Sequence, residues 1–501
     1  MDNRFYGIIT VAIVSIVFGL AYKKYKRNRI DSCLYLIILG GLILRIYTSL
    51  DLYLHEWDER FHALVAKNLL ENPLKPMLYT NPLLDYDYKN WTSNHIWLHK
   101  QPFPLYTMAF SMFAFGKNVI ALRLPSIVLS TMSIFATFHI GRMLVSKKVG
   151  LLAAFLFSIN GLIIESSAGR VATDHIDVFF LSLITVAIYF FLKSIESNSH
   201  KLFLLGSILT GFAILSKWLP ALIVLPIWLL YSIKRHDLNR ILKNILVFTS
   251  IVLIVVTPWQ IYIMHNFPLE AAWEYGYNSK HIFEDLSPFK KPFYYHFDRM
   301  RILFGELTYI PLIWFVYYTY LQSKKQNYNA LLILVWILIP YLFFSLVVTK
   351  MQGYILFCSS AIFIMISIFF DHLGSNLSKL KEIKLLILVL LIALPVRYSL
   401  ERIKPFTIRD RNPAWIDQMK DVVSRDSSKA VLFNCKYPIA TMFYTDVIAY
   451  ETIPDLEKLK LLNIDGFKIY IDNHKPLGPD VKDLEFVNYI EVTGDNSIKP
   501  H

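Results

Sequence analysis

Residues 55–72 read HEWDERFHALVAKNLLEN, directly after an apolar run of near-spanning length. Asp58 and Glu59 stand side by side near the start, with Arg60 next to them. Phe61, Leu64, Val65 and Leu69 recur at helical spacing, so the stretch is expected to form an amphipathic helix. A helix of this kind lies on a membrane surface and holds Asp58 at the water boundary. An acid-rich helix just after a spanning segment suggests a membrane bundle with its polar chemistry gathered at one end.

Outward from this stretch the chain is mostly apolar. Of its 501 residues, 55% are hydrophobic and 18% are charged, far less polar surface than a soluble chain of this size needs. Apolar runs cover 5–22, 33–50, 119–139, 149–164, 175–192, 202–216, 219–233, 245–264, 307–321, 330–348, 354–370 and 384–396. They amount to about twelve segments, each near the ~20 residues a bilayer requires and several on the short side. The expected fold class is an all-α polytopic membrane protein with amphipathic outer-face helices, over residues 1–400. Residues 401–501 change character. Short strands are expected at 430–434, 447–451, 467–472 and 486–492, with helices at 415–424 and 456–462, which reads as a small C-terminal α/β soluble domain. No catalytic set is visible in that tail, which favours an accessory or acceptor-facing role.

The formal net charge of +13 sits mainly in short connectors: 23–29, 142–148, 193–201, 234–243, 324–325 and 379–384. Basic connectors stay on the cytoplasmic side. The alternation then closes with 51–102, 165–174, the turn at Lys217, 265–301, 349–353 and the tail facing outward. Most acids and histidines fall on that outer face of a multi-pass protein of the cytoplasmic (inner) membrane. The charge is topological, so membrane lipids are the expected partners and nucleic acid is not. Neither G-x-x-x-x-G-K-[ST] nor G-x-G-x-x-G occurs, so no nucleotide site is expected on the inner side. Cys33, Cys358 and Cys435 imply no disulfide framework. Residues 1–22 lack a basic leader and a small-residue cleavage site, so they read as a retained membrane segment.

Three constellations carry possible chemistry. A carboxylate such as Asp58, at a membrane boundary, is able to accept the proton of a hydroxyl nucleophile. His55, Asp58, Glu59 and His62 share a helical face by spacing, which is the rival reading of the same helix as a divalent-metal site. It is not H-E-x-x-H, because Glu59 stands where the second histidine would be. The rest of loop 51–102 combines Tyr79, Tyr86, Tyr88, Trp91 and Trp97 with Asp85 and Asp87. Aromatic platforms with carboxylates bind sugars, and aromatic residues also anchor membrane interfaces with no ligand at all. Both readings of this loop stay open.

In order, the chain has a membrane helix, Asp58-Glu59-Arg60, His99-Lys100-Gln101-Pro102 and Ala121-Leu122-Arg123-Leu124-Pro125-Ser126. Arg170-Val171-Ala172-Thr173-Asp174 and Gly211-Phe212-Ala213-Ile214-Leu215-Ser216-Lys217 follow. Ser279-Lys280-His281, Pro292-Phe293-Tyr294-Tyr295, and Thr349-Lys350 with Tyr354 complete the series. This order resembles the GT-C glycosyltransferases that use polyprenyl-phosphate sugars. Within them it is most similar to the bacterial aminoarabinose transferases of lipid A and the protein O-mannosyltransferases. The resemblance covers roughly residues 33–372 and rests on motifs in register at the outer ends of helices.

The resemblance implies a GT-C-like fold with loops 51–102 and 265–301 forming the active site. It also implies an inverting transfer from a polyprenyl-phosphate sugar donor to a lipid, glycan or protein acceptor. The acid of the Asp-Glu pair, Asp58 here, orients or deprotonates the acceptor, with Glu59 and Asp174 in support. The leaving phosphodiester gathers charge, so cations surround it. Lys100, Arg170, Lys217 and Lys350 are the matching cations, with Tyr354 beside them. In some relatives the residue before the loop lysine and a histidine of the fourth outer loop hold zinc, which here points to His99 and His281. The aminoarabinose transferases have Glu-Lys-Pro-Pro where this chain has His99-Lys100-Gln101-Pro102. The segment 5–22 is a further departure. The rival from another class is a transporter or flippase of lipid-linked sugar, which would place polar or broken-helix features near the bilayer midplane.

Overall fold

The computed structural model describes residues 3–171, 175–284, 290–376, 381–408, 414–423 and 429–492. The chain divides into two compact units. Unit 1 comprises Met1–Ser49, Lys100–Pro104 and Arg123–Ile408, and unit 2 comprises Leu50–His99, Leu105–Leu122 and Arg409–His501. Neither unit is a continuous stretch of sequence, so the division does not follow a single boundary near residue 400.

The protein is a multi-pass membrane protein. Among the described residues seven helices are long and apolar enough to cross a membrane. They are Asn3–Lys26, Ile30–Thr48, Val119–Leu144, His175–Glu196, Leu238–Asn266, Asn329–Leu346 and Gln352–Leu373. The number rises to nine if each of two bent pairs is one span. Lys147–Ser158 meets Gly161–Ser167 at 54°, and Tyr295–Phe304 meets Glu306–Lys324 at 119°. The first break is capped by Asn160, whose Oδ1 accepts the Ile163 N–H at 3.1 Å while its Nδ2 donates to Leu303 O at 2.6 Å. The second turns at Gly305, where φ is +94°, a backbone conformation that costs glycine little.

About twelve spans were expected, and among the described residues seven to nine are long and apolar enough. Leu219–Ser232 is a shorter apolar helix, and at 1.5 Å per residue it reaches only about two-thirds of a ~30 Å hydrocarbon core. The helices His200–Lys217 and Lys381–Ile403 match two further expected segments and are not among the seven. Several buried polar groups inside unit 1 are paired between helices. Arg45 is fully buried. Its Nε donates to Ser130 Oγ at 2.9 Å and one terminal nitrogen donates to Ser158 O at 3.2 Å. That contact links three helices through one guanidinium, as burial of a charge demands.

Unit 2 is built differently. Its sheet is parallel, in the order β2-β1-β3-β4, with β1 Ala430–Phe433, β2 Ile448–Ala449, β3 Lys468–Asp472 and β4 Val487–Ile490. All four residues of β1 are buried, as a central parallel strand requires. The helices Pro438–Tyr444 and Leu456–Ile464 connect β1 to β2 and β2 to β3.

The stretch quoted first forms the helix Asp58–Leu69. Glu59 and every residue from Phe61 to Leu69 are buried, so it is not an amphipathic helix lying on a membrane surface. The physical reason is a second layer on its polar side. The helix packs against Pro438–Tyr444, and the Lys67 ammonium donates to the carbonyls of Met442, Phe443 and Thr445 at 2.8, 3.1 and 3.0 Å. Those are the unpaired carbonyls at a helix C-terminus, where a cation is favoured. Asp446 adds an ion pair at 3.2 Å. Tyr79 stacks on Tyr450 with ring centres 4.9 Å apart and donates its hydroxyl to Ala449 O at 3.1 Å. Loop 50–99 and the tail therefore share one core.

Lys67→Met removes the charged donor and leaves three helix-end carbonyls bare. The full-length protein should lose about 2 kcal/mol in a denaturant-unfolding measurement, with protease nicking near residues 438–446 appearing first. Unchanged unfolding and cleavage would show that Lys67 does not tie the tail to the helix.

Candidate active site

In unit 2, Asp58 opens the helix Asp58–Leu69, with Trp57 at the cap position. Acids in this first turn meet the positive end of the helix dipole. The two acids differ in environment. Glu59 is fully buried, and its Oε2 accepts the backbone N–H of His55 at 2.8 Å, so it fixes the chain leading into the helix. Asp58 is half-exposed and so is the one of the pair open to a substrate. Burial pushes the Arg60 guanidinium below its usual range, against the opposing pull of Glu56, Asp58 and Glu451. Burial raises the Glu56 carboxyl, with Arg60 opposing.

His55, Asp58, Glu59 and His62 do not all share one helical face, since the helix begins at Asp58. His55 precedes the helix, and its Nε2 lies 3.9 Å from Asp51 Oδ2. His62 is buried edge-on to Trp97. Trp97 is itself fully buried and donates its indole N–H to Trp91 O at 2.9 Å. Trp91 stacks on His99 with ring centres 4.3 Å apart, and Tyr86 stacks on His95 at 3.8 Å. Trp97 thus belongs to the core of unit 2, and Tyr86 remains exposed.

In unit 1 the cations form a connected set. Lys217 ends the helix His200–Lys217, and its ammonium pairs with the Asp177 carboxylate. The same ammonium lies 4.7 Å from the centre of the Tyr354 ring, a cation–π contact. Two residues before Tyr354, the Gln352 side-chain amide oxygen Oε1 accepts from Arg402 at 2.9 Å. Arg402 also pairs with Glu165 at 2.8 Å. Arg170 follows Glu165 by five residues and donates to Ile403 O at 2.9 Å. Lys350 is buried, donating to the carbonyls of Val347 and Lys291, and burial lowers its pKa. Lys100 is half-buried, and Asp174 lies outside the described residues.

Reading the sequence alone missed Asp177, Glu165 and Arg402. Asp177 had a weak signal, an acid in the first turn of a spanning helix, where charge is expensive and usually functional. Arg402 had none, because its partners Glu165 and Gln352 are far away in sequence.

Zinc takes three or four protein ligands. Among the described residues no group of three or more His, Cys, Asp or Glu side chains could hold a metal ion. His99, in unit 2, is stacked on Trp91. The His281 Nδ1, in unit 1, is 3.0 Å from Tyr277 O. The two histidines belong to different units, and the mechanism assigns no step to a metal.

Comparison with known proteins bears on this arrangement. The model of the dolichyl-phosphate-mannose-protein mannosyltransferase family matches residues 99–262. An undecaprenyl phosphate-alpha-4-amino-4-deoxy-L-arabinose arabinosyl transferase 2 of Pseudomonas fluorescens (strain Pf0-1) is 26% identical over 283 residues, 54% of this chain and 50% of that protein. The chain thus spans about half the length of the curated relatives it matches. The crystal structure of ArnT from Cupriavidus metallidurans bound to undecaprenyl phosphate superposes with a TM-score of 0.61 at 13% identity, over 86% of this chain and 87% of that one. The archaeal oligosaccharyltransferase AglB from Archaeoglobus fulgidus, in complex with an inhibitory peptide and a dolichol-phosphate, gives 0.61 at 13% identity, over 86% and 65%. The chain resembles the GT-C glycosyltransferases and shares their fold.

The Asp177–Lys217 pair gives a direct chemical test. In Asp177→Asn the Lys217 amine loses the ion-pair partner that holds it in place. Its acetylation by an amine-reactive ester, followed by mass spectrometry, should speed up about threefold or more. An unchanged rate would mean that Asp177 does not hold the ammonium.

Proposed function

We propose that this protein is an inverting glycosyltransferase. It moves a sugar from a polyprenyl-phosphate donor to a lipid, cell-envelope glycan or protein acceptor, at the outer face of the cytoplasmic membrane. The observation that carries the reading is the connected cation set of unit 1. Lys217, Lys350, Arg170 and Arg402 belong to one helical bundle, and Lys217 and Arg402 are linked through the Gln352–Tyr354 segment. Cations in an apolar bundle are costly unless they serve an anion. A lipid phosphodiester is an anion with an apolar tail, and it would meet such a set at the membrane boundary. The names of the relatives agree in class, since they speak of undecaprenyl phosphate and dolichol-phosphate.

Transfer then proceeds as one displacement. The acceptor hydroxyl attacks the anomeric carbon and gives its proton to the Asp58 carboxylate. The bond from the anomeric carbon to the phosphate oxygen breaks, and the electron pair leaves with polyprenyl phosphate. Lys100, Arg170, Lys217 and Lys350 stabilise that growing charge, with the Tyr354 ring holding Lys217 in place. Asp174 supports the acceptor side. Glu59 acts one step back, through the chain that precedes Asp58.

The rival reading, transport of lipid-linked sugar, draws on the two broken spans. Transfer by purified protein in detergent micelles separates the two, since a micelle has no compartments. Product from a polyprenyl-phosphate sugar and a cell-envelope extract supports transfer, and its consistent absence with every such donor sinks it.

Two variants probe the roles. Asp58→Asn should lower kcat by about 10²–10⁴-fold with thermal unfolding unchanged, and near-normal turnover would remove Asp58 from the mechanism. Lys350→Met should raise KM for the donor more than for the acceptor. Because burial lowers the Lys350 pKa, its charge is lost at a lower pH than an ordinary lysine's. In the native enzyme donor KM should therefore begin to climb at an alkaline pH where an ordinary lysine is still charged, and Lys350→Met should abolish that limb. Identical pH profiles for the two would contradict the assignment.

A further inference from the structure

His296 is the one fully buried histidine of unit 1 for which, among the described residues, neither ring nitrogen has a hydrogen-bond partner. It occupies the first turn of the helix Tyr295–Phe304, the first half of the 119° bent pair. A neutral imidazole has one donor and one acceptor, and leaving both unmade in a packed interior is costly. Such a group in a folded protein calls for a missing partner: water, an ion or a ligand.

The surroundings say which partner fits. The charged groups whose fields act on the imidazole are the ammonium groups of Lys350 and Lys217. Its ring is 6.3 Å from Phe344, Phe344 is 5.5 Å from Tyr354, and Tyr354 carries Lys217 on its face. Lys217 is paired with Asp177 and Lys350 is held by neutral carbonyls, so the net positive charge beside the unsatisfied imidazole repels a further cation and attracts an anion. The first turn of a helix adds the positive end of its dipole. Lys350 is held by the carbonyl of Lys291, in the turn leading to His296. An anion that draws this ammonium off the carbonyl also releases that turn.

We propose that His296 binds the phosphate of the polyprenyl-phosphate donor, giving one neutral imidazole N–H to a phosphate oxygen between Lys217 and Lys350. The inference rests on the donor reading above and adds to it a ligand of a different kind. A neutral donor holds the phosphate without adding charge, so it contributes to recognition of the anion both before and after the sugar leaves.

The test is binding of undecaprenyl phosphate to the full-length protein in detergent, measured for the native chain, His296→Phe and His296→Gln, alongside thermal unfolding. Phe keeps the ring volume and removes the N–H, and Gln restores a neutral N–H donor. His296→Phe should weaken binding about tenfold or more, and His296→Gln should recover most of that loss. Should the phenylalanine variant unfold, His296→Met carries the same comparison. Binding within twofold of native in the apolar variant overturns the proposal, because a histidine satisfied only by water would behave that way. Equal weakening in the apolar and glutamine variants also overturns it, since the loss is then one of shape. If the native chain itself does not bind undecaprenyl phosphate, the donor reading fails, and this inference fails with it.

Discussion

The Lys217 ammonium lies between the Asp177 carboxylate and the face of Tyr354, and the polar side of unit 1 is arranged around that contact. An ammonium in an apolar bundle is tolerated only when a counter-charge and a polarisable surface replace its water. Meeting that demand brings three segments together: the end of His200–Lys217, the first turn of His175–Glu196 and the turn around Tyr354. Once they are joined, Gln352 is in reach of Arg402, and Arg402 in turn meets Glu165. The result is a network of charges held ready by mutual pairing. Such pairs cost less to exchange for a phosphate than bare cations would cost to keep buried.

Unit 2 obeys a different constraint. Its helix Asp58–Leu69 carries an acid at one end and a lysine near the other. The lysine is spent on three carbonyls of the neighbouring helix, and Glu59 is spent on the backbone that precedes Asp58. Asp58 is then the acid of the pair that keeps partial exposure. Rigid support around one exposed carboxylate is the arrangement a general base requires, because its reach to the reacting proton is fixed by its neighbours.

Some of this was legible beforehand. The helix after the second span, the four short strands of the tail and most spanning segments all follow from periodicity and apolar length. The burial of Asp58–Leu69 was not legible, because its covering layer comes from residues 438–446, nearly four hundred positions later. The same holds for the metal reading of His55 and His62. It assumed one continuous helix, and the helix begins only after Trp57.

By itself the sequence determined a helical membrane protein with basic connectors, together with a motif order that resembles polyprenyl-phosphate glycosyltransferases. Those features are local: a bilayer needs a run of apolar residues, and a helix needs a period. The tertiary structure alone decided which charges pair. Lys217 meets Asp177 across 40 positions and Arg402 meets Glu165 across 237. Burial, too, was decided there, since whether a polar side chain sees water depends on what covers it. His296 is a case of both, a residue unremarkable in the sequence that became informative because, among the described residues, neither of its buried ring nitrogens has a hydrogen-bond partner.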